Sequence, residues 1–154
     1  MPTLVLESLQ TLKDYVGREI ATTDWLAMTQ ERILQFADAT GDRQWIHVDP
    51  ERARRESPYG AAIAHGFLTL SLMNHFMKEV IQLPGSVRRT INYGLNRVRF
   101  PAPVRAGEKI RARVGLHSYQ ELQDSAEAVF DITIEVENAA KPCCVAEWIL
   151  RYYS

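Results

Sequence analysis

The chain has 154 residues, 46% of them hydrophobic and 24% charged, which is the composition of one globular domain and not of a disordered, collagen-like or coiled-coil chain. Its 18 Lys and Arg against 19 Asp and Glu leave a net charge of -1, which argues against a protein built to neutralise nucleic-acid phosphates. No run approaches the ~18 consecutive apolar residues of a membrane helix, and the N-terminus lacks the pattern of an export signal, so a cytoplasmic, membrane-free protein is expected.

Residues 7–16 read as a short helix carrying Leu9, Leu12 and Val16 and stopped by Gly17; residues 18–24 read as a short strand. Thr29 is a good N-cap, with Met28 and Ile33 at the two positions of a hydrophobic staple. Ile33, Phe36, Ala37 and Thr40 follow at helical spacing, and Gly41 fits the stop. A turn-rich segment runs from Asp42 to Asp49, and Asp49-Pro50 opens another short helix.

After the small residues 60–64, a helix is expected from Gly66 to Leu83, ended by Pro84-Gly85. Its apolar residues cover more than one stripe, so it is expected to be buried in the middle of the fold, Asn74 and His75 included. Beyond Gly85 the period changes to two. Strands are expected at 88–100, 109–117, 126–137 and 143–153, the last apolar on both faces and therefore central. Pro101 and Pro103 suit an edge or a bend. Helical signal first and long strands afterwards mean an α+β fold, an antiparallel sheet curled around one long central helix.

The neighbouring Cys143 and Cys144 offer no loop-closing staple and have no adjacent base, so they read as buried, inert thiols in a reducing compartment.

The polar residues with no evident structural duty lie between the two strong helices. Asp42 and His47 are five apart across a turn, and a looped backbone can aim both at one point. A carboxylate and an imidazole sharing one water make an acid–base device, because histidine takes and gives protons near neutral pH. Each also has an ordinary reading, Asp42 as a turn residue or cap and His47 as a hydrogen-bonding spacer. Gly66 opens the long helix, where N–H groups are unpaired and a ligand oxygen can approach a residue without a side chain; the alternative is a packing glycine. His65 is either a second site histidine or an anchor of the helix start. Asn92 and Asn96 are read as sharing one strand face, for binding a ligand or satisfying backbone. No phosphate-cradling glycine loop and no metal-ligand spacing occurs.

Asp42 to His47, followed by Asp49-Pro50 and Ala64-His65-Gly66, resembles the MaoC-like dehydratase family (hydratase 2). The family pattern falls on Phe36, Thr40, Gly41, Asp42, Ile46, His47 and Ala53, and the likeness extends to Asn92-Tyr93-Gly94-Leu95-Asn96 and Val98-Arg99-Phe100. It is nearest to the (R)-specific enoyl-CoA hydratases that supply polyhydroxyalkanoate monomers in fatty-acid metabolism.

The resemblance implies a single hot-dog domain with its core at about 18–153 and a helical extension at about 1–17. It also implies a homodimer, and cofactor-free, metal-free hydration of trans-2-enoyl-CoA to (R)-3-hydroxyacyl-CoA. Asp42 and His47 take the catalytic places, and Gly66 the thioester-polarising N–H. Gln44, His65, Asn92 and Asn96 are expected to contact substrate. Gln44-Trp45 stands where many members have Asn-Pro, and Asn74 where some relatives have Ser. Two other readings remain: a hot-dog acyl-CoA thioesterase, for which Glu79 is the central helix's one carboxylate, and a non-catalytic acyl-CoA-binding module, which would need neither Asp42 nor His47.

Overall fold

The computed structural model describes residues 3–154. In chain order the elements are β1 (Leu4–Val5), a 3-10 helix (Leu9–Tyr15), β2 (Arg18–Thr22), β3 (Leu26–Ala27), α1 (Gln30–Thr40), α2 (Trp45–Val48), α3 (Pro50–Glu56), α4 (Gly66–Ser71), α5 (Met73–Val80), β4 (Ile81–Gln82), β5 (Arg89–Arg99), β6 (Lys109–Glu121), β7 (Ser125–Val136) and β8 (Cys144–Tyr153). β2, β6, β7, β8 and β5 lie side by side in that order, all antiparallel, and β3 joins the same edge of β6 as β2. β1 and β4 form a separate parallel pair.

Alternation decides which face of this sheet meets the helices. On β6 the buried side chains are Ile110, Ala112, Val114 and Leu116; on β8 they are Cys144, Ala146, Trp148, Leu150 and Tyr152. They pack on Met73, Phe76, Met77 and Val80 of α5 and on Leu68 of α4 in one continuous core. The opposite face carries ion pairs: Glu135 holds both Arg111 and Arg113 at 2.9 Å, and Glu127 holds Arg151 at 2.9 Å. Such pairs keep that face solvated and stabilise little.

Several sequence expectations hold with their mechanisms. The Thr29 hydroxyl accepts the Arg32 N–H at 3.1 Å, and Met28 and Ile33 are fully buried as the staple requires. Gly41 sits at φ +81, donating to Ala37 O at 2.8 Å. The Asp49 carboxylate caps α3 through the Arg52 N–H at 3.0 Å.

Others are corrected. The N-terminal helix is 3-10, with Leu12 turned inward. The turn-rich segment contains the single helical turn α2. The long helix ends at Val80, since Ile81–Gln82 pair with β1, and it is irregular at Leu72. There the Ser71 hydroxyl donates to Leu68 O at 2.7 Å, a competing bond that disturbs the helical ladder. Only one side of this helix is covered, so Asn74 and His75 are exposed, as is Phe67 at 70%. β8 lies between β7 and β5 as expected of an inner strand, with its outer face half-buried. β5 is an edge, ending where Pro101 and Pro103 follow.

Asn92 and Asn96 do not share a face. Asn92 pairs with Leu150, whose side chain is on the buried face, but Gly94 pairs with Ile149, so Tyr93 is an extra residue. The parity of the strand is thereby reversed, and Asn96 faces outward opposite Glu147.

Both cysteines are buried and free, and burial pushes the Cys143 thiol up to about 12 and the Cys144 thiol up to about 11. Native protein at pH 8 is expected to leave both thiols untouched by Ellman's reagent, with both titrating after denaturation. Prompt reaction of the native protein would contradict this burial.

Candidate active site

Two segments distant in sequence build the site by pairing with each other. Gly41 turns the chain out of α1, and α2 then carries His47 inward to 7% exposure. The small residues around Ala61, Ala62 and Ala64 let a second segment run close beside it. Ile63 N–H donates to Ile46 O at 3.0 Å, and the Ile63 carbonyl accepts from His47 Nδ1 at 2.7 Å. Gln30 Nε2 donates to His47 O at 2.8 Å and ties α2 back to α1.

A carbonyl oxygen only accepts, so Nδ1 of His47 carries the hydrogen and Nε2 is left with its lone pair. Burial lowers the pKa of His47 below its ordinary value; the Ile63 hydrogen bond opposes this, neighbouring His65 adds to it, and Asp42 opposes it. The ring is therefore neutral at pH 7, with a free basic nitrogen.

Asp42 is exposed, and its carboxylate accepts only a long bond from the Gln44 N–H, 3.4 Å, so it stays available. His65 is 3% exposed. Its Nε2 donates to the Asp42 carbonyl oxygen at 2.9 Å, and its ring stacks on His47 with centroids 3.9 Å apart and planes at 23°. One ligand-capable atom from each of Asp42, His47 and His65 lies within 4.8 Å of the others. A zinc ion binds in the plane of each imidazole at about 2.0–2.1 Å. Nearly parallel stacked rings do not converge their lone pairs on one point, so the trio is a poor metal cage.

These residues floor a cleft of about 460 Å³. Gly66 lies beside them at the first position of α4, where a helix leaves its N–H without an intrahelical partner. Phe36 and Thr40 of α1, with Phe67 and Phe100, form apolar walls. The Phe100 ring presses on Gly66 so closely that a Cβ there would lie 3.2 Å from it.

Of the residues singled out in the sequence, Asp42, His47, His65 and Gly66 come together in this cleft. Gln44 is the N-cap of α2 and does not line it. Neither do Asn92, whose Oδ1 accepts from Trp148 Nε1 at 2.7 Å, nor Asn96. Phe67, one of the apolar residues of the helix expected to be buried, faces the cleft. The Ile63 carbonyl, being backbone, carries no residue-type signal at all; the run of small residues around it was the only available hint.

A family model described as "MaoC like domain" matches residues 11–138. The chain is 48% identical over 147 residues to a 3-hydroxyacyl-thioester dehydratase Z of Mycobacterium tuberculosis, covering 95% of this chain and 96% of that protein. It is 43% identical over 145 residues to nodulation protein N of Rhizobium meliloti, covering 92% and 89%. Among solved structures, an (R)-hydratase from A. caviae involved in PHA biosynthesis superimposes with TM-score 0.70 at 24% identity, covering 88% of this chain and 94% of that one. That likeness gives this chain the hot-dog fold.

The state of His47 can be read directly. In protein with 15N-labelled histidine, the His47 ring is expected to show the Nδ1–H tautomer and to titrate with a midpoint below the ordinary ~6.5. A midpoint above that value would refute the burial argument.

Proposed function

The chain belongs to the MaoC-like dehydratase family, and from that premise we propose that it adds water reversibly to a trans-2-enoyl-CoA, giving a 3-hydroxyacyl-CoA. The observation that carries this reading is the Ile63 carbonyl on Nδ1, which leaves His47 a neutral base facing Asp42 in an apolar cleft. One water is held between Asp42 and His47 Nε2. Its oxygen bonds to C3 of the enoyl group, and its proton passes to the Asp42–His47 pair. The C2–C3 π pair becomes the C1–C2 π bond as the carbonyl π pair moves onto the thioester oxygen, where the Gly66 N–H stabilises the negative charge. A proton is then delivered to C2, so the elements of one water have been added and no other reactant is needed. Each acid–base partner is typically worth ~10²–10⁴-fold, and an oxyanion donor ~10²–10³-fold.

The 3-hydroxyacyl-thioester named for the Mycobacterium tuberculosis relative supports the substrate class, and the (R) configuration is carried from the family resemblance. Glu79 sits in the last turn of α5 and does not line the cleft, which weighs against a thioesterase.

A homodimer is part of the proposal. β2 is a short edge with a register shift at Glu19–Ala21, whereas β5 is an edge of 11 residues whose outer backbone pairs with no strand among the described residues. Ile91, Tyr93 and Leu95 at its middle are 42%, 55% and 38% exposed. A two-fold copy pairing β5 to β5 covers them. Sedimentation equilibrium at micromolar concentration is expected to return twice the chain mass, and the mass of one chain would defeat the dimer.

Asp42→Asn keeps size and hydrogen bonding but removes the base, so kcat for crotonyl-CoA hydration is expected to fall at least ~10²-fold with little change in melting temperature. His47→Gln should match that loss and also lower the melting temperature, because the buried bond to Ile63 O is disturbed. Since the two act as a unit, the double variant is expected to be little slower than the slower single one. Normal turnover in Asp42→Asn would remove the hydratase reading, and release of CoA thiol in place of enone loss would favour the thioesterase.

A further inference from the structure

We propose that His65 is a positioning residue, which fixes the backbone at Asp42 through its Nε2–H and the plane of His47 through its ring face. The inference rests on the hydratase reading for its kinetic consequence, not for its geometry. Three contacts meet in this one side chain: the 2.9 Å bond to the Asp42 carbonyl, the 3.9 Å stack on His47, and Phe36 of α1 against its ring, with centroids 4.9 Å apart.

The tautomer strengthens the case. Because Nε2 donates to a carbonyl, Nδ1 is an acceptor, and it is buried with no hydrogen-bond partner among the described residues. An idle buried nitrogen costs desolvation that a phenyl or aliphatic side chain at the same place would avoid. What a phenyl ring cannot supply is the N–H toward Asp42, and what an amide cannot supply is a flat face for His47. His65 is also the N-cap of α4, its carbonyl accepting from Leu68 N–H at 3.0 Å and Thr69 N–H at 3.2 Å. The base, the carboxylate and the Gly66 N–H are thus held in register by one residue, and a misplacement of about 1 Å in such a set can cost ~10²-fold.

Two variants separate the functions. His65→Phe keeps a ring against His47 and loses the donor to Asp42; His65→Gln keeps an amide N–H near the place of Nε2 and loses the face. The groups facing His47 are Asp42, from the turn after α1, and His65 itself; Phe36 and Thr40 of α1 and Phe100 at the end of β5 do not titrate in this range.

With crotonyl-CoA, His65→Phe is expected to lower kcat roughly 10–100-fold and to change KM far less. In His65→Gln, exposure of the His47 ring is expected to raise its NMR titration midpoint toward the ordinary value, moving the acid limb of the kcat/KM profile to higher pH. Unchanged kcat in His65→Phe together with an unchanged His47 midpoint in His65→Gln overturns the proposal. If His65→Phe does not fold, an unchanged midpoint in folded His65→Gln overturns it alone. The midpoint is measured without substrate. If the wild-type protein hydrates no enoyl thioester while the midpoint still moves in His65→Gln, the hydratase reading fails and the positioning role stands.

Discussion

The bond between His47 Nδ1 and the Ile63 carbonyl, 2.7 Å long and sealed from water, is the constraint from which the site follows. It chooses the tautomer, so that the nitrogen left over is a base. It also fastens the turn after α1 to the segment that opens α4, which is why a carboxylate at position 42 and a helix start at position 66 share a cleft. Burial works alongside it: the ring that accepts a proton is the one whose charged form the surroundings disfavour, so it holds that proton weakly and can return it. A looser or wetter arrangement would leave an ordinary surface histidine.

Much of the fold was legible because it rests on local rules. The Thr29 cap with its Met28–Ile33 staple, the Gly41 stop and the Asp49-Pro50 start each follow from what one residue type does to adjacent backbone. The period of two over 109–117 and 126–137 marked strands with one buried face, as β6 and β7 have. The Asp42 and His47 pair was legible as chemistry without duty, and their approach to Gly66 came from the family pattern.

What was not legible depended on partners far along the chain. Apolar residues all round α4 and α5 signalled a buried helix, yet Phe67 is turned to the cleft instead of the core, and apolarity does not distinguish the two. Strand Ile81–Gln82 exists only because β1 lies beside it, where Thr3, Leu4 and Val5 meet the end of α5. No propensity of a two-residue strand announces that. The assignment of Asn92 and Asn96 to one face failed for a related reason, since counting by twos presumes that the ladder never slips.

That slip at Tyr93 gives β5 two reading frames. Up to Asn92 the even-numbered side chains look toward the helices; from Leu95 the odd-numbered ones do, until Arg97, at φ +52, shifts the count once more before Arg99. The strand therefore stores part of its meaning in its length. Deleting Tyr93 would close the slip and leave Gly94, Leu95 and Asn96 opposite the same residues of β8, whereas losing a residue elsewhere in the strand would exchange its two faces up to the nearest slip. Along this edge, a one-residue gap at the slip is a smaller change to the ladder than the same gap anywhere else on the strand.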